Sequence, residues 1–247
     1  MLDIETSPNK VYVWGLFKQN IALSQIEEPG QTLCWAAKWL GSRDTMFASL
    51  HADGKEPMLE AIYDLLEMSD VVTHYNGMKF DIPTLNQEFV SQGWGPPAPF
   101  IQIDLLRVVR KQFRLTSNKL DYVAQYLGLG AKTQHKGMAL WRECMAGDDK
   151  AWEVMERYNK QDVALLEKLY ERLRPWIPNH PNFGLFAADG KRHCPNCGGV
   201  KLVKRGSYYT AVLRYQRYRC SGCGAWSKDR FNDMSLDDRK NIVKGVT

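Results

Sequence analysis

Two Cys-x-x-Cys pairs, Cys194-Pro195-Asn196-Cys197 and Cys220-Ser221-Gly222-Cys223, stand 22 residues apart and constrain the C-terminal part of this chain more tightly than any other feature. Four thiolates at this spacing suit a single tetrahedral ion, and a glycine after each pair, Gly198 and Gly224, lets the backbone fold around it. Four protein ligands leave no open coordination position. The spacing therefore predicts one structural Zn²⁺ held by Cys194, Cys197, Cys220 and Cys223 in a small ribbon, with the adjacent His193 unnecessary. Such a pattern belongs to a reducing compartment. The other two cysteines, Cys34 and Cys144, lie in apolar surroundings and read as buried core residues.

Between the pairs, Lys201 to Arg219 reads as a hairpin. It carries Lys204, Arg205, Arg214, Arg217 and Arg219 interleaved with Tyr208, Tyr209, Tyr215 and Tyr218. Cations for phosphates and rings for bases are the ingredients of single-strand binding. A small ribbon packing its own tyrosines, or docking to a partner protein, would draw on the same residues.

Charge is divided along the chain. Residues 188–247 hold 13 Lys/Arg against 5 Asp/Glu, a balance of +8, whereas residues 1–187 hold 20 against 23, a balance of −3. A basic module beside an acidic one suits an enzyme with a carboxylate site and a polyanionic substrate. The prolines of Pro175-Trp176-Ile177-Pro178-Asn179-His180-Pro181 stop the preceding helix and mark a linker. The expected organisation is a large domain over 1–183, a ribbon over 188–230 and a polar tail over 231–247, helical from Leu236 or disordered. No run approaches the roughly 18 apolar residues of a membrane span, and the N-terminus lacks the basic and apolar regions of a signal peptide, so a cytoplasmic protein is expected.

Lys10 to Phe17, Asn20 to Ile26 and Thr32 to Trp39 alternate as consecutive antiparallel strands separated by turn residues. From about residue 55 to Leu66 the period is helical. Asp70 to His74 follows as a short apolar strand, then a helix from about Pro83 to Val90, a strand from Phe100 to Asp104, and mostly helix to Pro175. Strands first, then helices alternating with buried strands, predict an α/β fold with a mixed sheet flanked by helices.

Three acidic motifs fall on these elements. In Leu2-Asp3-Ile4-Glu5-Thr6 the strand period puts Asp3 and Glu5 on one face, about 7 Å apart. Like charges so placed are either solvated or neutralised by a cation. In Asn76-Gly77-Met78-Lys79-Phe80-Asp81-Ile82-Pro83 a glycine turn enters a helix. There Asp81 has the position of an N-cap, from which a side chain can also reach over a sheet. On the helix from about Asp148 to Arg174, Trp152, Met155, Asp162, Leu166, Leu169 and Leu173 form one stripe, with Tyr158 one turn before Asp162. A carboxylate facing the core needs a partner: a basic side chain, the Tyr158 hydroxyl or a metal. Asp104, at a strand end, reads first as the cap of the next helix. Arg107, Arg110, Lys111 and Arg114 read as a solvated helix face.

The ordered set Asp-x-Glu, Asn-x3-Phe-Asp and Tyr-x3-Asp over residues 1 to about 175 resembles the three motifs of the DEDDy exonucleases. That group includes the proofreading domains of DNA polymerases and has a ribonuclease H-like fold. The wording Leu-Asp-Ile-Glu-Thr-Ser-Pro looks bacteriophage-like. The resemblance implies a 3′ to 5′ exonuclease with two Mg²⁺ or Mn²⁺ ions on Asp3, Glu5, Asp81 and Asp162, Asp3 bridging both. It also implies that Tyr158 orients the attacking water and that Asn76 touches the terminal nucleotide or orders its turn. The substrate implied is DNA with single-stranded 3′ ends, with RNA as an alternative and a replication or recombination protein as a partner class. A non-catalytic nucleic-acid-binding protein on the same fold is the rival reading. In this fold the first aspartate usually sits well inside a central strand, whereas only Met1 and Leu2 precede Asp3. Either a few residues ahead of Asp3 are missing from this sequence, or the strand is completed in some other way.

Overall fold

The computed structural model of the chain describes residues 1–133 and 136–246; Thr247, the end of the predicted tail, lies outside them. It divides into two compact units, Met1–Glu171 and Arg172–Thr247. Among the described residues no helix is long and apolar enough to cross a membrane.

The first unit opens with β1 (Leu2–Thr6), β2 (Lys10–Val11), β3 (Ile26–Glu28), β4 (Thr32–Ala37) and β5 (Met46–Ser49). There follow α1 (Leu50–Asp53), α2 (Lys55–Glu67), β6 (Val71–His74), α3 (Asp81–Ser91), β7 (Ile101–Asp104), α4 (Leu105–Gln112), α5 (Leu120–Tyr126), α6 (Met138–Met145) and α7 (Asp149–Leu173). β4 is the middle strand of the antiparallel order β1-β4-β5, and all six of its residues are buried. β6 and β7 pair in parallel, from Val71 opposite Ile101 to His74 opposite Asp104. Antiparallel and parallel ladders are thus both present, and among the described residues they form separate ladders and not one hydrogen-bonded mixed sheet.

The apolar periods explain the layers. Met58, Leu59, Ile62 and Leu66 line one face of α2 and pack with Leu85 and Phe89 of α3 against Leu2, Ile4 and Trp35. Leu33 and Cys34 belong to a second cluster with Leu140, Cys144, Trp152, Met155 and Tyr158. Each large apolar side chain, fully buried, contributes about 1.5–3 kcal/mol. Glu88 ties the helix layer to the sheet, its Oε1 accepting from the Thr32 N–H at 3.0 Å while Lys55 Nζ lies 2.9 Å from Oε2.

The two strands predicted between residues 10 and 26 shrink to β2 and β3. From Tyr12 to Leu23 the apolar side chains have no layer to pack on. Trp14 is 100% exposed, and Leu16, Phe17 and Leu23 are also exposed. Alternation without a facing surface does not make a buried strand. The short strand β5, which pairs with β4 from Cys34–Ser49 to Ala37–Met46, has no clear counterpart in the sequence pattern.

In the second unit, β8 (Leu202–Tyr209), β9 (Arg214–Cys220) and β10 (Trp226–Lys228) form an antiparallel sheet in the order β10-β9-β8. The predicted tail contains the short helix α8 (Leu236–Lys240), capped by Ser235, whose Oγ accepts from the Asp238 N–H.

Candidate active site and four-cysteine cluster

β1 begins at the second residue, and the short lead is secured by β4. The Met1 ammonium donates to the Lys38 carbonyl at 2.8 Å and Lys38 N–H returns a bond to Met1 at 2.9 Å. Leu2 and Ile4 are buried, while Asp3 and Glu5 keep some surface exposed, as the two-residue period requires.

Carboxylate oxygens of Asp3, Glu5 and Asp162 lie within 4.8 Å of one another. Asp162 comes from the buried stripe of α7. Asp81 approaches from another side: its Oδ1 accepts from the Ile4 N–H at 3.2 Å, so it is fixed to the backbone between Asp3 and Glu5. The capping alternative for Asp81 does not hold. Phe80, not Asp81, is the N-cap residue of α3, and it makes no side-chain cap hydrogen bond. Asp104, in contrast, does cap α4, accepting from Leu106 N–H and from Asn76 N–H, each at 3.0 Å.

The turn that delivers Asp81 is tightly specified. Asn76 adopts a left-handed conformation, φ 74°, which asparagine tolerates better than most residues, and its carbonyl accepts from Lys79 and Phe80. Gly77 N–H donates to His74 Nδ1 at 3.1 Å, and a Cβ at Gly77 would lie 2.4 Å from the His74 ring. Of the two roles expected for Asn76, the ordering of its turn is therefore visible.

Burial governs the protonation of these acids, and repulsion within the cluster adds to it most at Asp3. Removal from water and the neighbouring Glu5, Asp81 and Asp162 hold the Asp3 carboxyl well above the usual range. Burial pushes Glu5 up to about 8, and Asp81 up to about 7. Clustered acids disfavouring their own charge are what a divalent cation would relieve.

Two residues of the site escape the sequence reading. Lys132 places its Nζ in an ion pair with Asp162 Oδ2 and 3.2 Å from the Tyr158 hydroxyl, which accepts its hydrogen bond. Its backbone N–H donates to Asp121 Oδ1 at 2.8 Å, and Gln161 of α7 holds the preceding Ala131 carbonyl at 3.2 Å. Burial opposes the Lys132 charge, yet Asp162 and Tyr158 keep its pKa above the ordinary lysine value. Asn159, fully buried beside Tyr158, donates from Nδ2 to Asp3 Oδ2 at 2.7 Å. The sequence does hold a signal for Asn159, since Met155, Asn159 and Val163 share one helical stripe and a buried amide there needs a partner. For Lys132 there is only the general need of Asp162 for a counter-charge.

Tyr158 packs edge-on against Trp141, ring centroids 6.2 Å apart. Burial and the Asp162 charge raise its pKa, so the phenol keeps its proton.

In the second unit, Cys194, Cys197, Cys220 and Cys223 gather with every sulfur within 4.8 Å of the others. Cys194–Cys223 and Cys197–Cys220 sulfurs are 3.6 and 3.7 Å apart. A tetrahedral ion with bonds of about 2.3 Å to sulfur has edges of about 3.8 Å. Gly198 and Gly224 take φ of 72° and 80°, giving each knuckle its turn. A four-sulfur donor set at these separations fits a structural zinc.

Taken with the α/β unit, the carboxylate cluster defines a class: an α/β protein whose sheet and helices converge acids able to hold divalent cations. More particularly, a family model of the RNase H superfamily matches residues 1–174, and the chain belongs to that superfamily. This is a nuclease fold, and membership supports nuclease-type activity on nucleic acid, for which divalent metals are generally used. A comparison with curated proteins found no match.

Proposed function

We propose that the protein is a DEDDy-type, two-cation 3′ to 5′ exonuclease acting on single-stranded 3′ ends of DNA, with a nuclease domain over 1–183, a zinc ribbon over 188–230 and a polar tail. The observation that carries this reading is the convergence of Asp3, Glu5 and Asp162 within 4.8 Å, with Asp81 fixed on the backbone between the first two. The donor set is all carboxylate oxygen, which suits hard Mg²⁺ or Mn²⁺. When bound, such ions supply charge neutralisation at the attacking and leaving oxygens of a phosphodiester.

The chain's own residues divide the remaining work. Asp3, Glu5, Asp81 and Asp162 hold the ions, and Asn159 fixes the angle of the Asp3 carboxylate. Tyr158, kept as a neutral phenol and held by a hydrogen bond from Lys132, orients the attacking water. Lys132 supplies a fixed positive charge beside the scissile phosphate, where negative charge grows. Asn76 meets the terminal nucleotide from its turn. Cys194, Cys197, Cys220 and Cys223 hold one Zn²⁺ that keeps the ribbon folded.

The test is digestion of 5′-labelled single-stranded DNA, duplex DNA and RNA with Mg²⁺ or Mn²⁺. A ladder shortening from the 3′ end of the single strand is expected. Internal cuts, or trimming from the 5′ end, would contradict the exonuclease polarity, and inert substrates throughout would contradict nuclease activity itself.

A further inference from the structure

The ribbon sheet carries a surface that its own stability does not explain. Along β9, Tyr215, Arg217 and Arg219 alternate with Gln216 and Tyr218. Arg219 pairs with Trp226 and Arg217 with Lys228 on β10, and Tyr215 pairs with Tyr208 on β8. The two-residue strand period therefore sets Tyr208, Tyr215, Arg217, Arg219, Trp226 and Lys228 on one face.

Their contacts agree with a common face. Arg217 and Arg219 lie over the Trp226 ring at 4.8 and 5.7 Å, and Lys228 lies over Tyr215 at 3.8 Å and Tyr208 at 5.4 Å. Trp226 is 52% exposed and Tyr208 45%, so these rings do not form the ribbon's core. Among the described residues no carboxylate pairs with Arg217, Arg219 or Lys228. The opposite side differs. Tyr218 is buried, its hydroxyl donates to Asp229, and Arg192 pairs with that same carboxylate at 3.1 Å. Arg214 is likewise paired, with Asp233 at 2.9 Å. The ribbon thus buries Tyr218 and pairs Arg214 with an acid, and it positions Arg217 by an Nε–H bond to the Arg205 carbonyl at 2.9 Å, but it leaves the charges of Arg217, Arg219 and Lys228 without a carboxylate among the described residues.

We propose that this face binds single-stranded nucleic acid, with bases against Trp226 and Tyr208 and phosphates on Arg217, Arg219 and Lys228. Three unbalanced cations match a polyanion, and half-exposed rings match unpaired bases, which a duplex would keep stacked on one another. An acidic protein surface would use the charges but leave the flat rings without planar partners. The proposal does not depend on the nuclease reading, because binding can occur without cleavage.

The experiment measures fluorescence anisotropy of 5′-labelled single-stranded DNA and RNA with the full chain, without Mg²⁺, Mn²⁺ or chelator. Arg219→Gln with Lys228→Gln should weaken binding and lower the salt slope by about 1.4, the value for two charges on a single strand. Trp226→Ala should weaken binding roughly tenfold. Lys191→Gln with Lys201→Gln removes the same charge elsewhere on the ribbon and should do much less; thermal melts establish that each variant is folded. Loss in either the DNA or the RNA arm supports the proposal and names the strand. Equal weakening by the Lys191/Lys201 pair would overturn it in favour of diffuse electrostatics. Unchanged binding by both face variants would overturn it and leave the face to a protein partner.

Discussion

The side-chain amide of Asn159 donates to Asp3 Oδ2 across 2.7 Å, joining the middle of the longest helix to the first strand. The bond fixes one oxygen of a carboxylate that would hold a cation in the proposed mechanism. Asn159→Ala should therefore raise the Mn²⁺ concentration for half-maximal activity by about 10–100-fold, the usual effect of losing a group that orients a metal ligand. A metal titration of initial rates checks this. An unchanged Mn²⁺ requirement with a lower melting temperature would make Asn159 a packing residue alone.

Stability without metal should fall as pH rises. Glu5 and Asp81 sit at about 8 and about 7 in the folded chain, above their ordinary 4.5 and 3.8. From roughly pH 4 to 8 the folded state then holds protons that the unfolded state has released, which destabilises it progressively. Mn²⁺ or Mg²⁺ should reverse the trend and raise the melting temperature more at pH 8 than at pH 5.5, where protons compete. Saturation near a hundred times Kd contributes about 2.7 kcal/mol. Scanning calorimetry across this range, with and without metal, gives the answer; a metal shift larger at pH 5.5 would run against it.

Lys132→Met removes the cation beside Asp162 and Tyr158 while keeping most of the side chain's apolar length. Metal-free protein should lose stability at pH 8, by about 1–3 kcal/mol, because the buried Asp162 carboxylate loses the Lys132 cation. Saturating Mn²⁺ should recover much of that stability but not the rate, because the fixed charge near the phosphate stays lost. Recovery of full turnover would restrict Lys132 to holding the metal-free site together.

Asp81→Asn keeps an oxygen able to accept from the Ile4 N–H but removes a negative charge from the cluster. Activity should fall at least about 100-fold, while the metal-free melting temperature at pH 8 should hold or rise. Surviving activity would remove Asp81 from the chemistry.

The helices α2 and α7 are readable in the sequence because each has a complete apolar period, α2 through Met58, Ile62 and Leu66 and α7 through Trp152, Met155 and Leu166, and β6 and β7 are readable as short runs, but their parallel pairing is not. The pattern misleads between Tyr12 and Leu23, where alternation meets no second layer and the rings stay in water. Asp3, Glu5 and Asp162 can be read from period and order. Asp81 is ambiguous because a residue entering a helix can cap it or leave it, and only the approach of β1 decides. Lys132 is illegible because it stands in an aperiodic segment whose position is set by distant Asp121 and Gln161.

The central claim, a two-cation carboxylate centre, is tested most directly by isothermal titration of Mn²⁺ into the full chain at pH 8. Two ions per chain are predicted for the wild type, with the pair lost or weakened at least tenfold in Asp162→Asn. Wild-type and Asp162→Asn proteins that bind Mn²⁺ alike, or a wild type that binds none, would contradict the account.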